Sequence, residues 1–315
     1  MLRLTSNITI GNYGFKNIVS VECASSWDTF TDTATIVIPR KVEWQGKYLY
    51  EHIKKGDKVV IELGYNDQNK EIFQGYVTSV SARIPVEIKV EDAAWLLKQN
   101  TITKSYKKVE LSQLLKDILP SVVLFEAPGV SLGSFRISNA TTIKILEELK
   151  SAYFLKSFFR GGKLYVGFAY VPKLQKKHVL KFNQNVVSVD DLNYKIEDDV
   201  KIKLKIVNIL PNNKKQEYEF GDTTGEQRTL TYYDKKEADI KKIGAEEIKR
   251  LRYTGYRGSI TIFGEPMINH GDAVKLIDPK YPEREGTYLV KSVNKSFGDS
   301  GYRQTIELDI KINES

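Results

Sequence analysis

The sequence predicts an α+β, mainly β protein: two similar antiparallel β-barrel domains, an α+β middle domain between them, and a helical insertion in the second barrel. Three observations predict it. A three-strand pattern occurs once near each end of the chain, hydrophobic residues alternate with period two through both end segments, and the period lengthens toward four only in the middle and in one later stretch. The N-terminal copy runs from Gly56-Asp57 through Leu63, then Tyr76 to Val80, then Val86 to Val90. The C-terminal copy runs from Gly271-Asp272 through Ile277, then Leu289 to Val293, then Gln304 to Leu308. In each, a Gly-Asp turn opens an alternating strand, a second strand ends in Ser-Val, and a third alternates apolar with charged or polar residues. Two copies are too few for a solenoid. The pattern therefore points to one small barrel used twice, and to symmetry and assembly ahead of catalysis.

Residues 1–97 form the first expected barrel. Ile8 and Ile10 alternate, as do Val19, Val21 and Cys23, and after Ser26 to Asp32 comes the strand Ala34 to Ile38, closed by Pro39 where a missing N–H does no harm. Gly64 to Asp67 reads as a hairpin region, and Trp95 as part of a core or domain junction. Residues 98–182 form the middle domain. Leu111, Leu114, Leu115 and Ile118 share one helical face ended by Pro120. A second helix is expected to begin at Ser138-Asn139 and to bury Ile143, Leu146 and Leu149 through about Tyr153. A hairpin follows, Phe154 to Phe159 and Leu164 to Phe168, turning at Arg160-Gly161-Gly162-Lys163.

Residues 183–315 form the second barrel, with the helical insertion at about 222–257. Lys201 to Ile206 alternates lysine with apolar residues, Pro211 to Lys215 is a turn, and Gly221 to Gln227 is a polar, mobile loop. A long helix from about Lys235 to Tyr253 buries Ile240, Ile243, Ile248 and Leu251. The strand Gly258 to Phe263 then leads through Gly264-Glu265-Pro266 to the second Gly-Asp turn.

A chain of 315 residues can bury real cores, and its 41% hydrophobic and 28% charged residues describe an ordinary soluble protein without a stretch of membrane-helix length. The N-terminus alternates like a strand and carries no apolar signal core, so synthesis in the cytoplasm is expected. The single cysteine, Cys23, excludes an intrachain disulfide and a multi-cysteine zinc site, and reads as a small buried hydrophobe. The net charge of +8 comes from lysines dispersed along the chain, which favours solvated faces over a nucleic-acid site in the absence of a recognition motif. A basic β-barrel nucleic-acid-binding protein remains the alternative reading.

No constellation reads as catalytic. His52, His178 and His270 stand in no metal-ligand spacing. Asp190-Asp191 and Asp198-Asp199 follow no calcium loop, and Gly161-Gly162 is too short for a phosphate loop. No cofactor, metal or enzyme activity is expected. Tyrosine is abundant, with 18 residues, and serves subunit contacts or base stacking, the first reading being preferred. The residues singled out are the repeat-defining turns Gly56, Asp57, Gly271 and Asp272, and the candidate subunit-contact aromatics Trp27, Phe30, Tyr65 and Tyr256.

The order of elements resembles a family. Long helix, then Gly258 to Pro266, then Ile268-Asn269-His270-Gly271-Asp272 is similar to the run found in baseplate hub proteins of contractile-tailed phages, a family that includes late control protein D, the Mu-like tail hub and the hub half of type VI secretion spike proteins. Ser26 to Asp32 before a strand ending in Pro39, and Glu148-Leu149-Lys150 before the hairpin to Gly167, look like the same family. The resemblance implies a homotrimer whose six barrels form a pseudo-hexameric ring, joining a hexameric tail tube to a trimeric spike protein among other baseplate proteins. It further implies residence in a virion or phage-like particle, DNA only as passing cargo, and no membrane insertion. Lysines are then expected on outer surfaces, since a basic lumen would hold DNA back. The chain stops at Ser315 just after the second copy, so neither a hydrolase nor a spike domain is expected in it and the spike is expected as a separate partner.

Overall fold

A computed structural model describes residues 3–39, 43–44, 47–81, 85–167, 170–171, 174–210, 212 and 214–312. Pro211 and Asn213 of the expected turn, and Phe168 at the end of the expected hairpin, lie outside the described residues.

Alternation in the end segments becomes strand pairing, and the fold is mainly β as expected. The two copies run through the same strand order. In the first, Leu4–Ile10 is followed across the sheet by Lys58–Tyr65, Gln68–Val80, Val86–Glu91, Thr33–Ile38 and Ser20–Ser26. In the second, Lys177–Lys181 is followed by Ala273–Ile277, Gly286–Gly298, Gly301–Ile312 and Gly255–Phe263, and the last of these pairs with both Val186–Ser188 and Leu192–Lys195. The copies differ at the first position, where Leu4–Ile10 is antiparallel to its neighbour and Lys177–Lys181 is parallel.

The expectation of two similar antiparallel β-barrel domains is met in strand order but not in closure. Among the described residues neither copy closes on itself, and the two are joined in one 14-stranded sheet. The physical reason is the length of Gly286–Gly298. Its first residues pair with Ala273–Ile277, while Ser292 to Phe297 continue past that strand and pair antiparallel with Ser20–Ser26 of the other copy. The backbone groups of Ser20–Ser26 that a closed first copy would have to satisfy internally are satisfied by the second copy instead.

Side chains alternate in and out as the pleat requires. Ile8, Ile10, Ile36, Ile61, Ile88 and Val90 fill the first core, into which the second copy sends Phe297 and Tyr302. Ile260, Ile262, Val274, Leu276, Val290 and Ile306 fill the second. Each such aliphatic contributes roughly 1.5–3 kcal/mol on burial.

The middle region has its own core. Helix Leu111–Ile118 buries the four residues its periodicity marked, Leu111, Leu114, Leu115 and Ile118. The second helix is Thr142–Tyr153 and buries Leu146 and Leu149 as expected, with Ile145 buried in place of Ile143, which is half-buried against the same core. Its start differs from the expectation because Ser138 and Asn139 finish a long strand, Ser131–Thr141, paired with Thr101–Glu110. The hairpin is present as Lys156–Arg160 and Lys163–Gly167, with Leu124–Glu126 added in parallel.

The insertion is not purely helical. Helix Glu237–Leu251 lies on a three-stranded sheet of Lys215–Gly221, Ile202–Ile209 and Glu226–Tyr233. Phe220 presses so closely on Gly244 that a β-carbon there would sit 2.3 Å from the ring. The lysine alternation at 203 and 205 is used in cross-strand ion pairs, Lys203 with Glu219 and Lys205 with Glu217, both at 2.8 Å. The loop expected at 221–227 shrinks to a tight turn, because Glu226–Tyr233 pairs in register with Ile202–Ile209.

Candidate assembly site: the two Gly-Asp turns and the seam between the copies

Both turns are built from the same bonds. Gly56 stands at φ +91° and Gly271 at φ +81°, a region that glycine enters without steric cost. Gly56 donates its N–H to Val77 O at 2.8 Å and Val77 returns its N–H to Asp57 O at 2.9 Å. Gly271 donates to Val290 O at 2.7 Å and Val290 returns to Asp272 O at 2.9 Å. In each turn the aspartate carboxylate accepts the N–H of the residue three positions earlier, Lys54 at 2.7 Å and Asn269 at 3.0 Å. Just beyond each clamp the ladder slips by one residue in the same way, between Val77 and Ser79 in one copy and between Val290 and Ser292 in the other.

The carboxylates then part company. Beside the first turn stands Trp95, stacked on Tyr76 with ring centroids 5.1 Å apart. Asp272 is fully buried and collects cations and donors from distant segments. Arg160, at the end of the middle hairpin's first strand, donates Nη2 to Oδ1 at 2.5 Å and Nη1 to the His270 carbonyl at 2.9 Å. His178 Nε2 lies 3.2 Å from Oδ2, and the Lys176 N–H donates to Oδ1 at 3.1 Å. Burial alone would raise the Asp272 pKa, but the hydrogen bond from His178 and the charge of Arg160 outweigh it and bring it down to about 2.

Next to this anchor is a cleft of about 380 Å³ where the first copy, the middle region and the second copy meet. Cys23, Asp32 and Asp92 reach it from the first copy, Arg160 from the middle, and His270 and Lys295 from the second. Lys295 sits opposite Cys23 in the seam and donates Nζ to Asn269 Oδ1 at 3.2 Å. Burial lowers the pKa of Lys295 and pushes the Cys23 thiol up to about 12. Burial also raises Asp32, helped by the like charge of Asp92, and burial raises Asp92 itself. His270 is lowered to about 4 by burial and by Arg160. Among the described residues Asp92 Oδ2 and His270 Nδ1 have no hydrogen-bond partner. Arg160 is the group here that hydrogen-bonds the middle region to the second copy, and no group of three metal-ligating side chains is gathered among the described residues.

The singled-out aromatics all make contacts inside the chain. Trp27 donates Nε1–H to the Tyr170 hydroxyl at 2.9 Å, and that hydroxyl donates to Asp309. Lys156 Nζ stands 5.0 Å above the Trp27 ring. Phe30 packs on the middle core under Lys150. Tyr65 donates its hydroxyl to the Tyr302 carbonyl at 3.2 Å, tying the first copy to the second. Tyr256 is buried, its N–H donating to the Tyr288 hydroxyl at 2.9 Å. Sequence reasoning missed Arg160, His178 and Lys295. Arg160 is 112 residues from Asp272 and carried no motif, and the one signal for Lys295 was a lysine at an inward position of an alternating strand.

No family model matches the sequence. No curated protein matches it either. The fold does match solved structures along nearly its whole length. A tail protein from Neisseria meningitidis superposes with a TM-score of 0.65 at 15% identity, covering 99% of this chain and 97% of that one. The 43 kDa tail protein of prophage MuSo2 from Shewanella oneidensis gives 0.63 at 16% identity, over 96% and 97%. The c3393 protein of E. coli, a component of the type VI secretion system, gives 0.60 at 11% identity, over 98% of this chain and 77% of that one. The chain therefore has the fold shared by phage tail proteins and a type VI secretion component.

Proposed function

We propose that this chain is a structural baseplate hub protein of a phage tail or phage-like contractile injection particle. Three chains form a ring of six modules that joins a hexameric tail tube to a trimeric spike, and the role is structural, without an enzymatic step. The observation that carries this reading is the internal duplication: one strand order, one turn and one ladder slip occur twice in each chain. Two near-equivalent modules per chain let a closed trimer present pseudo-sixfold symmetry on one face and threefold symmetry on another. The full-length likeness to tail proteins supports the same reading. Half-exposed aromatics such as Phe30 and Tyr65 remain candidates for contacts between chains, while Trp27 and Tyr256 are committed within one.

The test is mass by light scattering after size exclusion, over a concentration series and at two salt strengths, with negative-stain imaging of the main peak. A trimer imaged as a ring with a central hole is expected. A ring of a different subunit number, or nucleic acid bound with an affinity that falls steeply with salt, counts against the hub.

A further inference from the structure

A buried lysine needs either a counter-charge or the loss of its own charge. Lys295 is 4% exposed, and among the described residues it makes no ion pair. Its hydrogen bond runs from Nζ to Asn269 Oδ1 at 3.2 Å, and burial lowers its pKa, which favours the free amine. A desolvated lysine amine is a nucleophile. The group it touches is a side-chain amide, whose carbonyl carbon is an electrophile.

Both partners are held in place. Lys295 lies in Gly286–Gly298 with Cys23 opposite it on one side and Gln304 on the other. The buried Gln304 side chain accepts the Ile268 N–H at 3.0 Å and donates Nε2 to the carbonyls of Phe263, Gly264 and Pro266. The ladder neighbour of Lys295 therefore fixes the segment that leads to Asn269. Asn269 itself gives its N–H to Asp272 Oδ2 at 3.0 Å and accepts the Asp272 N–H at 3.1 Å. Amine and amide are thus kept adjacent without further ordering. Asp32 lines the same cleft as Lys295 and Asn269 and interacts electrostatically with Lys295. Burial and the neighbouring Asp92 hold the Asp32 carboxyl well above the usual carboxylate range, which makes it a proton donor. The first copy lacks this set, because Lys54 stands where the second has Asn269.

We propose that Lys295 and Asn269 join in an intramolecular isopeptide bond, with Asp32 as the proton carrier. Nζ attacks Cγ of Asn269 while Asp32 protonates Oδ1. The Asp32 carboxylate then takes a proton from Nζ, passes it to Nδ2 and recovers its own from Oδ1 as the Cγ–Nδ2 bond breaks. Ammonia leaves through the cleft. A primary amine and a primary amide become a secondary amide and ammonia, and the step needs neither oxidant nor reductant. The bond locks the second Gly-Asp turn to the strand that covers Ser20–Ser26, and it is independent of the proposed hub role.

The test is intact mass of the purified full-length chain, with tandem mass spectrometry of its tryptic peptides. The chain is expected to be lighter than its sequence by one ammonia. Residues 258–275 and 292–303 are expected as one branched peptide, uncleaved at Lys295. Lys295→Met replaces the amine by an apolar side chain of similar length, and Asp32→Asn keeps an acceptor for the Ser26 N–H. Both variants are expected to give the two peptides separately and to lose no ammonia. Separate peptides from the unaltered chain overturn the bond, and this readout needs no variant to fold. Ammonia loss that persists in Lys295→Met marks a succinimide at Asn269-His270 and overturns it equally. A branched peptide formed in full by Asp32→Asn overturns the role given to Asp32.

Discussion

The Gly56-Asp57 and Gly271-Asp272 turns have one backbone and two environments. Each glycine takes the same left-handed conformation, each aspartate accepts the same local N–H, and each clamps the second strand at the same place. Only Asp272 is fully buried, and only Asp272 meets an arginine and a histidine from other segments. The comparison separates two functions of one residue type. Closing the turn needs a short acceptor, which either copy supplies; anchoring three segments needs a buried charge whose cations arrive with the rest of the fold.

The largest expected effect breaks that asymmetry directly. Asp272→Ala leaves the Arg160 guanidinium and the Lys176 N–H facing a cavity and should cost about 3–5 kcal/mol in urea unfolding. Asp57→Ala removes a turn hydrogen bond and should cost about 1 kcal/mol. Equal losses would mean that the two carboxylates do the same work.

The glycines should show no such asymmetry. Gly56→Ala and Gly271→Ala each force an L-residue into positive φ, at about 1–2 kcal/mol apiece. The new methyl would meet Trp95 at 3.1 Å in one copy and Arg160 Nη1 at the same distance in the other. Losses differing by much more than about 1 kcal/mol would show that the turns are not mechanically equivalent.

A third test uses pH, because the ladder places Asp92, just past Val86–Glu91 in the first copy, at the position that buried Ile310 holds within Gly301–Ile312 in the second. Burial raises the Asp92 pKa from 3.8 to about 7, so the folded state binds that proton more tightly. This term costs stability as pH rises through that window and is constant above it. His270 acts in the opposite direction. Its pKa falls from 6.5 to about 4, so stability is lost as pH drops from 6.5 through 4. The stability of Asp92→Asn relative to the unaltered protein should therefore climb between pH 4 and 7 and level off above, read as the difference in melting temperature. A flat difference would show that Asp92 is not held in its neutral form.

The smallest effect sharpens the seam between the copies. Tyr65→Phe removes the hydroxyl given to the Tyr302 carbonyl and should cost about 0.5–1 kcal/mol in the same unfolding measurement. Ser20–Ser26 should keep slow amide hydrogen exchange in that variant, since its backbone bonds come from the seam strand.

Much of this architecture was legible before folding. Gly-Asp before an alternating strand and the helical spacing of Leu111, Leu114, Leu115 and Ile118 are local patterns, and local patterns act through the backbone neighbours that the sequence itself supplies, whereas Ser-Val closes the next strand only in the first copy and lies inside Gly286–Gly298 in the second. Strand Thr101–Glu110 was not legible, because nearly all its side chains are exposed or half-exposed and no period-two contrast marks it. The strand in Glu226–Tyr233 was hidden for a related reason, its half-buried side chains giving too little contrast beside a Gly-containing turn. By itself the sequence determined the repeated module, its turns and the amphipathic faces, each specified by residues within a few positions of one another. Tertiary structure alone decided that the modules share a sheet instead of closing, and that Asp272, with Arg160 and His178 arriving from 112 and 94 residues away, becomes the buried anchor. Strand edges and buried charges are satisfied by whatever the chain brings to them in space, and that is set by packing over distances that no local pattern records.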